Sequence, residues 1–89
     1  MIERELTVTN RLGLHARATA KLVQVLAAFR SSVTLTAKGR EINAKSIMGV
    51  MLLAAGQGTP VRLRVEGEDE IAAAAAVIDL FDRRFDEDS

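Results

Sequence analysis

The 89-residue chain has no cysteine, tryptophan or tyrosine, and only one histidine and one proline. Without cysteine it can build neither a disulfide framework nor a thiolate metal site, and that usage fits a reducing cytoplasm. With three phenylalanines as its only aromatics, it has little to stack on single-stranded bases, so nucleic acid is not an expected partner. A long apolar run is missing too. Residues 47–55 form the longest, far short of the ~20 residues that a bilayer span needs, and the N-terminus is charged from Glu3 onward. These absences predict a cytoplasmic protein with no membrane segment, no metal and no cofactor.

Net charge is also nil, yet its distribution is lopsided. Residues 1–65 carry ten Lys and Arg against three Asp and Glu, whereas residues 66–89 carry two against nine. A basic body of this kind steers an acidic protein partner. The length allows one domain over residues 1–89 with a single core, and the acidic end, residues 86–89, reads as a solvated, disordered tail.

Hydrophobic periodicity orders the rest. Ile2, Leu6 and Val8 share one side of a period-two stretch, giving a strand over about residues 2–8. From Ala16 the period lengthens, and Thr19, Leu22, Val23, Leu26 and Phe29 mark the buried side of a helix reaching about Ala28. Val33, Leu35 and Ala37 alternate again before a Lys38-Gly39 turn and a return strand to Asn43. A short helix, IMGVMLLAA, follows Ser46, and Pro60 opens a last strand carrying Val61, Leu63 and Val65. Ile71, Ala74, Ala75, Ile78, Phe81 and Phe85 then predict the inner face of a final helix, with Glu68, Asp69 and Glu70 at its positive end. The order β-α-β-β-α-β-α predicts an α+β fold: a four-stranded antiparallel sheet with three helices on one face.

One junction breaks the usual rules. In RLGLHARATAK, residues 11–21, a loop becomes a helix at Leu14-His15, where Ser, Thr, Asp or Asn would normally cap the free N–H groups of the first turn. With His15 at the cap, the N–H groups of Ala16, Arg17 and Ala18 and the Arg17 guanidinium make an anion site, and a phosphate can supply the missing cap. The helix end and Arg17 both oppose positive charge on the ring, which leaves a neutral imidazole able to act as nucleophile. A lone histidine at such a junction is otherwise a solvated or capping residue, and only the lost cap and the adjacent arginine favour chemistry.

RLGLHARATAK and KSIMGVM, residues 45–51, both resemble the histidine-containing phosphocarrier (HPr) family of the bacterial phosphoenolpyruvate-dependent phosphotransferase system, and the similarity runs across nearly the whole chain. The resemblance implies that family's open-faced β-sandwich. It also implies that His15 accepts phosphate on Nδ1 from phosphorylated enzyme I and passes it to enzyme II A components, with Arg17 assisting. The family's usual HARP reads HARA here, so Ala18 restores an N–H donor and removes rigidity in the first turn. The ending FDRRFDEDS resembles proteobacterial members, nitrogen-related carriers among them, so sugar uptake is not implied as the main role.

Ser46 is a good N-cap on physical grounds, worth about 1 kcal/mol against alanine. By resemblance it is also the serine that HPr kinase/phosphorylase modifies, where added negative charge would act on partners rather than on the fold. The helix after it has too many apolar residues for one buried side. Ile47, Met48 and Met51 are therefore assigned to a docking patch with Leu14, Ala20, Lys21 and Gln24. Two other readings stay open: a non-covalent regulatory module that needs only Ser46 and the patch, and a small hydrolase, which lacks a second catalytic base beside His15. A monomer is the simplest assembly.

Overall fold

A computed structural model describes residues 1–87. Its elements are β1 (Ile2–Thr7), α1 (Ala16–Leu26), β2 (Ser32–Ala37), β3 (Arg40–Asn43), α2 (Ile47–Leu52), β4 (Pro60–Glu66), α3 (Glu70–Asp82) and a 3-10 turn, Arg84–Asp86. The strands make one sheet in the order β1-β4-β2-β3, every neighbouring pair antiparallel. Alternation sets the faces. Val33, Leu35 and Ala37 of β2 and Val61, Leu63 and Val65 of β4 are buried, while Ser32, Arg62 and Glu66 between them are exposed. Register aligns the apolar set, with Leu35 opposite both Leu63 and Ile42, and Val65 opposite both Ile2 and Val33. The helices complete the core through Ala18, Leu22, Leu26, Val50, Val77, Leu80 and Phe81. Each fully buried Val, Leu or Phe of this kind stabilises by about 1.5–3 kcal/mol.

The Lys38-Gly39 turn joins β2 to β3 with both residues at positive φ, 54° and 74°. That geometry matches the twist of the flanking strands. Among the described residues no helix is long and apolar enough to cross a membrane, and no group of three or more His, Cys, Asp or Glu side chains could hold a metal.

Two sequence expectations need correcting. The inner face of α3 is Ala73, Ala74, Val77, Leu80 and Phe81; Ala74 and Phe81 match the prediction, as does the buried Phe85 beyond the helix, and Ile78 is partly buried, whereas Ile71 and Ala75 depart from it. Ala75 is exposed and Ile71 stands out at 77% exposure. Apolar residues run without a break from Ile71 to Ile78, so no polar strip fixes the phase of the helix, and packing on the sheet decides it.

The acidic end is the second correction. Arg84, Phe85 and Asp86 have φ of 55°, 55° and 62°, a left-handed run that costs roughly 1–2 kcal/mol per residue. Phe85 offsets it by burying its ring, 5.1 Å from that of Phe81, at about 2–3 kcal/mol. The Lys21 ammonium donates to the Phe85 carbonyl at 2.9 Å, a charge-assisted bond worth about 1.5–3 kcal/mol. Asp86 and Glu87 are thus folded onto the domain, and of the predicted tail only residues 88–89 lie outside the described part.

Candidate functional site

Residues 10–14 carry the site. Gly13 has φ of 68°, and a Cβ placed there would meet the Ala55 carbonyl at 2.4 Å. Only glycine lets the loop lie so close. The contact is fixed by the Leu14 N–H donating to that carbonyl at 2.9 Å. Asn10, fully buried, donates from Nδ2 to the Gly13 carbonyl at 2.7 Å, and the Thr19 hydroxyl donates to the Leu14 carbonyl at 3.2 Å. The loop is braced from both ends before the helix starts.

His15 then takes the N-cap of α1 in an extended conformation (φ −76°, ψ −179°), and among the described residues no side chain accepts from the first-turn N–H groups. Its ring lines an open cleft of about 410 Å³ with Arg11, Leu12, Ala16, Arg17 and Glu87. Ala16 and Arg17 are exposed, so their N–H groups and the guanidinium can meet an anion. Ala18 is wholly buried, and its N–H cannot receive a ligand from solvent, which narrows the predicted trio of backbone donors to two.

Glu87 was not foreseen. Its Oε2 lies 2.5 Å from His15 Nε2, and its Oε1 accepts from Asn10 Nδ2 at 3.0 Å. Burial pushes the Glu87 carboxyl up, but the hydrogen bonds from His15 and Asn10, with the nearby Arg17 charge, outweigh it and hold the group below its usual value. Asn10 Oδ1 is buried and has no partner among the described residues. The sequence signal was faint: an aromatic Phe85 inside an acidic stretch, which anchors whatever follows it.

The predicted docking residues separate. Leu14 is 5% exposed and belongs to the core, because the Gly13 turn and its own two backbone hydrogen bonds aim it inward. Leu12, overlooked in the sequence, is the exposed leucine beside His15. Lys21 is half-buried and engaged by Phe85 and Asp86, Ala20 is half-buried and Gln24 is exposed. On α2, which packs beside α1, Ile47, Met48, Met51 and Leu52 are all exposed, Met48 at 77%.

Ser46 caps α2, its Oγ accepting from the Gly49 N–H at 3.0 Å. A Cβ on Gly49 would press on Ser46 Oγ at 3.3 Å and on the Asn43 carbonyl at 3.2 Å, so glycine keeps this corner tight. A second groove of similar volume, about 400 Å³, passes Ser32, Thr34, Glu41 and Lys45. It has no histidine, and its Lys45 ammonium already donates to the Phe29 carbonyl at 2.7 Å.

Comparison with known proteins agrees with this geometry. The family model described as "PTS HPr component phosphorylation site" matches residues 2–83. The chain is 66% identical over 89 residues to a phosphocarrier protein HPr of Xylella fastidiosa, covering all of both chains. To that of Cupriavidus necator it is 51% identical over 87 residues, 98% of each. The crystal structure of HPr-C-His from Thermoanaerobacter tengcongensis matches with a TM-score of 0.96 at 40% identity, covering 100% of both chains. An uncapped histidine helix, a sheet with three helices on one face, and relatives of this closeness place the chain in the HPr family, phosphocarriers of the phosphotransferase system rather than catalysts.

Proposed function

We propose that His15 is the phosphoryl acceptor of this carrier, taking phosphate on Nδ1 from phosphorylated enzyme I and passing it to enzyme II A components. The observation that carries the reading is the start of α1: a half-exposed imidazole stands at an N-terminus that no side chain caps among the described residues, inside a cleft shared with Arg17. The N–H groups of Ala16 and Arg17, the helix dipole and the guanidinium stabilise the bound phosphate together. Partners dock on the ridge of Ile47, Met48, Met51 and Leu52 together with exposed Gln24 of α1 and Leu12 of the His15 cleft, through a small transient interface, which for such encounters is below about 1,200 Å². The carrier acts as a cytoplasmic monomer.

Ser46 adds control in this reading. Phosphorylation there by HPr kinase/phosphorylase puts roughly −1.5 to −2 charge beside Ile47 and Met48 and slows docking of a partner that presents carboxylates. A Ser46→Asp variant is then phosphorylated by enzyme I more slowly than wild type, and equal rates refute the regulatory part.

Phosphorus NMR of the protein incubated with phosphoenolpyruvate and catalytic enzyme I tests the main reading. An acid-labile, nitrogen-linked phosphate is expected on wild type and absent from His15→Ala. If folded wild-type protein takes up no phosphate, His15 is not the acceptor, and a binding module switched at Ser46 becomes the better account of the exposed ridge.

A further inference from the structure

We infer that Glu87 is a positioning residue for phosphoryl transfer: its carboxylate holds the Nε2–H of His15, so that the lone pair of Nδ1 faces the incoming phosphorus. The inference rests on His15 being the acceptor and goes one step beyond it.

The contact is built, not incidental. The Glu87 carboxylate uses one oxygen for each partner, Oε2 to His15 Nε2 at 2.5 Å and Oε1 to Asn10 Nδ2 at 3.0 Å. Asn10 is fully buried and is itself fixed by the Gly13 carbonyl at 2.7 Å. The backbone bearing Glu87 is held by the Phe85 ring in the core and by Lys21 on the Phe85 carbonyl. The side chains of His15 and Glu87 are 26% and 14% exposed, so water screens the pair only in part. Which imidazole nitrogen carries the proton is set by the hydrogen bond the other group makes, and a carboxylate facing Nε2 selects the Nε2–H tautomer. In the neutral ring Nδ1 is then the nitrogen without a proton.

The transfer balances on these groups. The Nδ1 lone pair forms the N–P bond as the bond from phosphorus to the donor protein breaks, its electron pair leaving with the donor. Nε2 keeps its proton, the ring gains one positive charge, and the Glu87 carboxylate lies against that charge as it develops. The carboxylate contributes more to the charged product than to the neutral reactant, which is the condition for speeding the step.

Two readouts test this on the full chain: the tautomer of the His15 ring by nitrogen-15 NMR on the free protein, and the rate of phosphorylation by enzyme I and phosphoenolpyruvate. Wild type should hold the Nε2–H form. In Glu87→Ala the tautomers should mix and the rate should fall roughly tenfold or more, the consequence of losing one charge-assisted hydrogen bond. Glu87→Gln keeps an acceptor oxygen and should restore the tautomer and part of the rate, which a loss of fold would not. An unchanged tautomer and rate in Glu87→Ala overturns the inference, and so does faster transfer, which would make Glu87 an obstruction. Failure of wild type itself to take phosphate strikes the His15 reading instead, and the tautomer measurement, made without phosphate, keeps the two failures apart.

Discussion

The helices α1 and α2 begin with the same backbone gesture and finish it differently. Both N-cap residues are extended, His15 at φ −76° and ψ −179°, Ser46 at φ −107° and ψ 119°. Ser46 closes its turn with its own oxygen; His15 leaves its turn open and directs its ring into a cleft with Glu87. A satisfied helix start is a piece of architecture. One left unsatisfied, beside an arginine, is a place where something else is meant to bind.

Making α1 resemble α2 breaks that difference most severely. His15→Ser should abolish phosphate uptake by phosphorus NMR while the protein stays folded, because the cap that serine supplies, about 1 kcal/mol, offsets part of the lost Glu87 hydrogen bond. Unfolding in urea checks that the fold survives. Gly13→Ala comes next: it forces a Cβ toward the Ala55 carbonyl at positive φ and should cost about 2–3 kcal/mol, read as a lower urea midpoint. Ser46→Ala should cost about 1 kcal/mol, a fall in Tm of roughly 4–8 °C for a domain of this size, while His15 still takes phosphate.

The smallest effect appears only in acid. Asp69 heads α3, but its carboxylate turns aside to the Ser31 hydroxyl and to the N–H groups of Arg30 and Ser31. Those bonds, the Ser31 hydroxyl foremost, lower its pKa from 3.8 to about 2. A carboxyl whose folded pKa is depressed contributes stability above its unfolded value and loses it as pH falls through the folded one. Wild type should therefore lose stability between about pH 4 and pH 2 more steeply than Asp69→Asn, and thermal melts across that window would show it.

The element order, the Lys38-Gly39 hairpin, the Ser46 cap and the missing cap at His15 were legible in the sequence, because each depends on local spacing or on one side chain's reach. The phase of α3 was not, since Ile71 to Ile78 offers no polar strip and Ile71 takes solvent while Ala73 takes the core. Leu14 read as surface because it neighbours His15; a left-handed Gly13 turned it inward, and the Ala55 carbonyl that fixes the turn is distant in sequence. Glu87 read as tail because its neighbours are acidic. Its place depends on Phe85, Lys21 and Asn10, which meet only once the chain has folded.

The seam between the Gly13-Leu14 loop and Ala55 has one more consequence. It ties the imidazole to the end of the helix that carries the apolar ridge, so nucleophile and ridge form a single rigid template. A partner that engages Met48 finds His15 already at a fixed offset and has little chain entropy to remove on arrival. Little is regained on departure either, and such a surface suits brief encounters in which successive partners exchange on one face without waiting for it to reform.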